Sequence, residues 1–146
     1  MPGAAQVLDL SGALAPLVGR LDFRIPLRTV ALYLNSQARK CFDEQRSPDG
    51  KPWARFKRKP SARRGGPSAK LLRNTGILMA SLTGQAGGHV EVLTATSLTW
   101  GSNVPYAGYH QHGTKHIPAR PFLGITDQMR GRIEQIVAEY VKRALG

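Results

Sequence analysis

Val90-Glu-Val-Leu-Thr-Ala-Thr-Ser-Leu-Thr-Trp-Gly101 decides the fold class. Val90 and Val92 alternate with Glu91 and Leu93 as in a half-buried strand, and residues 97–101 read as its antiparallel return through a tight turn near Ala95 and Thr96. Just upstream, Asn74 or Thr75 is placed to cap a helix through Ser81 or Thr83, with Ile77, Leu78 and Leu82 as its apolar contacts. Gly84, Gly87 and Gly88 close that helix. Downstream, Thr126 or Asp127 can cap a last helix, in which Met129, Ile133, Ile136, Val137, Tyr140, Val141 and Ala144 recur at three and four residues. Further upstream, Pro26 suits the first turn of a long helix with the stripe Leu27, Val30, Ala31, Leu34, Ala38, Cys41 and Phe42, and Ser47-Pro-Asp-Gly50 ends it. The predicted class is α+β: a small antiparallel sheet packed with a long central helix and a C-terminal amphipathic helix. Pro121-Phe-Leu123 is expected to add a short strand, and residues 8–21 a short helix broken by Gly12 and Pro16.

At 146 residues the length predicts one domain, 1–146, able to bury roughly 68–70% of its unfolded surface. Hydrophobic residues at 41% and charged residues at 21% are ordinary for a globular chain. Cys41 stands alone, so no internal disulfide forms, and its place on the apolar stripe makes it a packing group. The first residues lack a basic n-region and Asp9 interrupts them, which reads against a secretory signal. No apolar run reaches the ~18 residues of a spanning helix. The expectation is a soluble chain made in the cytoplasm, with no membrane partner.

Charge is concentrated. The net charge is +12, and between Arg46 and Arg73 ten cations face Asp49 alone, so this segment supplies nine of the twelve. Residues 51–68 hold three prolines, two adjacent glycines and only Trp53 and Phe56 as large apolar groups, which predicts a long basic loop over 47–70. Arg55, Lys57, Arg58, Lys59, Arg63 and Arg64 are the candidates for contact with DNA phosphates or an acidic partner. A merely solvated loop is the plain alternative, and thin aromatic interleaving argues against single-strand stacking.

The densest block of unusual residues follows the hairpin: Tyr106-Ala-Gly-Tyr-His-Gln-His-Gly-Thr114, then Ile117-Pro-Ala-Arg-Pro-Phe-Leu-Gly124. His110, His112 and His116 have no Cys, Asp or Glu between residues 106 and 120 to complete a zinc site, so they read as core or interface histidines, with no metal or cofactor implied. Acidic residues are scattered, and no phosphate-binding loop, nucleophile elbow, H-E-x-x-H or C-x-x-C occurs, which predicts no enzyme. Trp53 can cover the core or anchor an interface, and the hydroxyls of Tyr106 and Tyr109 can be met by the fold or a neighbour. Pro118 and Pro121 stiffen the path that carries Arg120, suiting it to a carboxylate within the fold or across a subunit boundary, before Phe122 and Leu123 enter the core. Trp53, Tyr106, Tyr109, His110, Arg120 and Phe122 are therefore the candidate core or subunit contacts.

This block resembles the signature of the phage virion-morphogenesis family, the tail-completion and neck proteins of tailed bacteriophages, in which a YAxxHxxG-like element precedes an IPARPFLG-like one. Ser47-Pro-Asp-Gly-Lys-Pro-Trp53, Leu71-Leu-Arg-Asn-Thr-Gly-Ile-Leu-Met-Ala-Ser81 and Gly101-Ser-Asn-Val-Pro-Tyr-Ala107 resemble further elements in the same order, from about residue 42 to 124. His112 stands where the pattern has an aromatic, and residues 1–24 match nothing, so the N-terminal segment is left unassigned. The resemblance implies a structural virion protein of the neck or tail, a ring of copies around the genome's path, and connector, neck or tail-tube proteins as partners. A free nucleic-acid-binding protein using residues 46–73 is the alternative reading.

Overall fold

The computed structural model describes residues 3–17, 19–58, 70–72, 76–84 and 87–146. Three strands, β1 (Ala4–Asp9), β2 (His89–Leu93) and β3 (Ser97–Ser102), form an antiparallel sheet of order β1-β3-β2. Among the described residues four α-helices, α1 (Arg24–Glu44), α2 (Ile77–Leu82), α3 (Ala107–His112) and α4 (Asp127–Leu145), make the fold α+β. No helix among the described residues is long and apolar enough to cross a membrane.

The hairpin lies where the alternation placed it. Thr94 N donates to Ser97 O at 2.9 Å, and the Thr94 hydroxyl oxygen accepts from the Ser97 amide, closing the turn with local bonds. The third strand comes from the N-terminus, which corrects two expectations. Among the described residues of 8–21 the expected helix is not seen: the chain pairs with β3 through Asp9, and Ala15–Leu17 makes a 3-10 turn. Two strands alone make a marginal sheet, and β1 gives the apolar strand β3 a second partner, so pairing overrides the helical spacing of the leucines. Residues 121–123 add no strand, for a reason given below.

Leu8, Leu98 and Leu93 share one cross-strand row and turn inward with Trp100 and Ser102. Against that face lies α1, whose predicted stripe is buried from Leu27 to Phe42. Trp100 needs a partner for its indole N–H, and Asn35 Oδ1 accepts it at 2.7 Å. The buried hydroxyls of Ser81 and Ser102, 2.7 Å apart, tie α2 to β3.

At α2 the N-cap position belongs to Gly76 (φ +75), with no side-chain cap; the expected caps, Asn74 and Thr75, lie outside the described residues. At α4 the cap is Thr126, which accepts from Met129 N at 3.2 Å, and Lys142 and Arg143 sit in the last turn, against the negative end of the helix dipole. Met129, Ile133 and Ile136 are buried, and Tyr140 meets Phe23 edge-on at 5.9 Å.

Candidate functional site

The 106–124 block folds as a helix and an extended return strapped to it. Ala107 and Gly108 are buried, small enough for α3 to lie close to its neighbours. Gly113 ends the helix at φ +76, and a Cβ there would stand 2.7 Å from Ala119 N, so a close approach as well as a left-handed backbone requires glycine. A turn follows, in which Thr114 N donates to Ile117 O, and Arg120 N then donates to His110 O at 2.7 Å. Gln111 does what a neighbouring strand would have done. Its Oε1 accepts from both Phe122 N and Leu123 N at 3.0 Å, and its Nε2 donates to Leu123 O at 2.9 Å. Residues 121–123 are thus extended but bonded to a side chain, which corrects the expected strand.

This strapped segment grips the start of the basic stretch. Trp53 is buried against Phe42, edge-on at 5.4 Å, and donates its indole N–H to Pro121 O at 2.7 Å. Phe122, also buried, lies 6.0 Å from Phe42 between ring centroids. Arg120 is only 8% exposed. Its Nε donates to Ala54 O at 2.7 Å and its Nη2 to Arg55 O at 3.3 Å, with the guanidinium 5.9 Å from the Phe56 ring centroid. The expected carboxylate is replaced by two backbone carbonyls: five donors in a fixed fork can satisfy a stretch of main chain that has no strand to pair with. Arg55, Lys57 and Arg58 project into solvent just beyond this grip, whereas Lys59, Arg63 and Arg64 lie outside the described residues.

Both roots of the segment meet at Gln45. The residue sits in the left-handed region (φ 57) at the end of α1. Its carbonyl accepts from Trp53 N at 2.9 Å, and its side-chain amide exchanges two bonds with the backbone of Leu71. The chain therefore leaves and returns at one point, beside the 106–124 block. No periodicity marked Gln45 or Gln111 in the sequence; the nearest signal for Gln45 was the end of the apolar stripe at Phe42.

The candidate histidines do not converge. His110 is partly buried with its Nδ1 atom unpartnered and its ring 5.9 Å from that of Tyr106, while His112 and His116 are exposed. Burial holds the His110 pKa below its ordinary value, and the nearby Arg120 charge lowers it further. Among the described residues no three His, Cys, Asp or Glu side chains are grouped to hold a metal. Tyr106 and Tyr109 stand at the surface. Burial pushes the Cys41 thiol up to about 11, which leaves it protonated at neutral pH. A groove of about 730 Å³ runs between the 47–53 turn and residues 119–127. On its wall the Ser47 hydroxyl donates to Asp49, a bond that holds the Asp49 carboxyl below its usual range.

The described contacts of the 106–124 block are ones that hold main chain. The model of the phage virion morphogenesis family matches residues 5–142. The chain belongs to that family. Its match begins inside β1, so residues 5–24 of the N-terminal segment left unassigned by the sequence motifs fall within the family's span. Among curated proteins, the chain is similar to the Mu-like prophage FluMu G protein 1 of Haemophilus influenzae, 33% identical over 109 residues, covering 72% of this chain and 70% of the relative. It is also similar to FluMu G protein 2 of the same organism, 31% identical over 141 residues, covering 90% and 88%. No solved structure matches.

Proposed function

We propose that this member of the virion morphogenesis family is a non-catalytic structural protein of a tailed bacteriophage, acting in tail completion or head–tail joining as a ring at the neck or the top of the tail. Its partners on this reading are copies of itself and connector, neck or tail-tube proteins, with non-specific contact to packaged DNA. The observation that carries the reading is the double anchorage at Gln45: a segment bearing most of the net charge is held at both roots by Gln45, and at its start also by Arg120 of the 106–124 block. Such a mounting presents charge to a neighbour or to the genome while the body of the protein supports assembly.

The test is complementation of a phage lacking this gene with a variant in which Arg55, Lys57, Arg58 and Lys59 are neutral. The variant keeps its melting temperature and yields fewer joined particles. Unchanged assembly and titre would remove the loop from the account. A free nucleic-acid-binding protein, by contrast, binds DNA tightly as an isolated monomer, with log affinity falling by about 0.9 per phosphate contacted for each tenfold rise in salt.

A further inference from the structure

Two stretches far apart in the sequence are joined by contacts, and neither contains a carboxylate. The first is the start of the basic segment, where Arg55, Phe56, Lys57 and Arg58 are exposed. The second is α3 with the turn that follows it, where Tyr106, Tyr109, His112, Lys115 and His116 are exposed. The contacts run in series: the Arg120 guanidinium lies 5.9 Å from the Phe56 ring centroid, Arg120 N donates to His110 O at 2.7 Å, and the His110 ring lies 5.9 Å from that of Tyr106. Arg120 itself spends its side-chain bonds on Ala54 and Arg55, so it positions the surface. The turn is fixed as well, since Thr114 Oγ1 accepts from both His116 N and Ile117 N.

We infer that these two stretches form one surface that meets the phosphate backbone of duplex DNA. The inference rests on the DNA contact proposed above and deepens it, by adding α3 and the 113–117 turn to the basic segment. Charge carries it first. Of the nine Asp and Glu residues of the chain, none lies in 54–58 or 106–120. Residues 50–126 hold one acid, Glu91, which stands on β2 with its carboxylate 3.4 Å from His89. Asp49 and Asp127 line the groove walled by Ala119 and Pro121, whereas Arg120, alternating between those two residues, reaches Ala54 and Arg55 instead. The surface is cationic without an acidic interruption.

Donor chemistry then selects the ligand. Arg55, Lys57, Arg58 and Lys115 can only donate hydrogen bonds, and the tyrosine O–H and imidazole N–H groups add further donors. Such a set suits a ligand that offers acceptors alone, as phosphate oxygens do. A protein partner calls for an apolar centre, and Phe56 is the one wholly apolar large side chain among these, lying against a guanidinium. Phosphate contacts hold DNA in place without reading its sequence.

The test is fluorescence anisotropy of a short mixed-sequence duplex with purified full-length chain over a salt series, after circular dichroism confirms that each variant melts like the parent. A single copy is expected to bind in the non-specific range, about 1–100 μM at physiological salt, with log affinity falling linearly with log salt. Lys57→Gln and Lys115→Gln should each reduce that slope by about 0.9. Tyr106→Phe should weaken binding about two- to tenfold at unchanged slope. Lys142→Gln is the control, because Tyr140 packs on Phe23 at the start of α1, roughly 28 Å along the helix from the Phe42 end that holds Trp53. It should leave the slope as it is.

Equal changes from Lys115→Gln and Lys142→Gln would show that binding follows total charge and overturn the surface. A slope altered by Lys57→Gln and not by Lys115→Gln would overturn the α3 side and leave the basic segment's DNA contact standing. Polyglutamate competing as well as DNA at equal charge would point to an acidic protein face and overturn the ligand. No binding even at low salt would overturn both this surface and the DNA contact it rests on.

Discussion

Gln45 and Leu71, 26 residues apart, hold each other by two hydrogen bonds: Leu71 N donates to Gln45 Oε1 at 2.6 Å, and Gln45 Nε2 donates to Leu71 O at 3.2 Å. The same side chain also donates to Phe42 O at 2.8 Å. A left-handed glutamine costs about 1–2 kcal/mol against a glycine there, and the bonds its side chain makes offset that cost. Gln45→Ala is expected to destabilise the protein by about 1–3 kcal/mol in denaturant unfolding. Gln45→Gly recovers part of that loss by relieving the backbone, but not all. A glycine variant as stable as the parent would show that the side-chain bonds contribute nothing.

Arg120 holds main chain with a planar fork, which lysine lacks. Arg120→Lys keeps the charge but not the pair of bonds to Ala54 and Arg55, and it buries an ammonium whose hydration is harder to replace. The expected loss is about 2–3 kcal/mol, with faster proteolysis after Arg55. If lysine restores full stability, charge alone is what the site uses.

Gly113→Ala meets two penalties, the left-handed φ and the close approach to Ala119 N. Together they predict a loss of about 2–4 kcal/mol in thermal or denaturant unfolding. A change below about 0.5 kcal/mol would mean that the return segment shifts freely and is not strapped to α3.

His110 makes stability depend on pH. Its folded pKa lies below its ordinary value, so the unfolded chain binds the proton more readily and stability rises with pH through that window. The contribution is complete above the ordinary histidine value of about 6.5 and is lost as pH falls below it toward the folded value. Unfolding of the parent and His110→Gln compared between about pH 7.5 and pH 5 should show a steeper decline for the parent. Parallel curves would mean that the ring titrates alike in both states.

Much of the fold was legible because it follows local periodicity. The stripes of α1 and α4, the Thr126 cap, the 47–50 turn and the β2–β3 hairpin all come from residues that read their own neighbours. What escaped depends on distant partners. Residues 4–9 carry few β-branched side chains and become a strand because β3 has an edge to fill. The 106–112 stretch, with one glycine and two histidines, has poor helical propensity, yet α3 forms because Ala107 and Gly108 are buried and the 120–123 return bonds to it. At the candidate site, Trp53, Arg120 and Phe122 stood out by residue type. The glutamines that bind them into one unit did not, since a polar residue at a helix end gives no pattern.

The most direct measurement is the amount of this chain in purified, infectious particles, by quantitative mass spectrometry together with imaging of the head–tail junction. The account predicts a fixed copy number of several chains per particle, with density at the neck or tail top, and unjoined heads or tails when the gene is absent. Finished particles that lack the chain while it remains free in the lysate would contradict it.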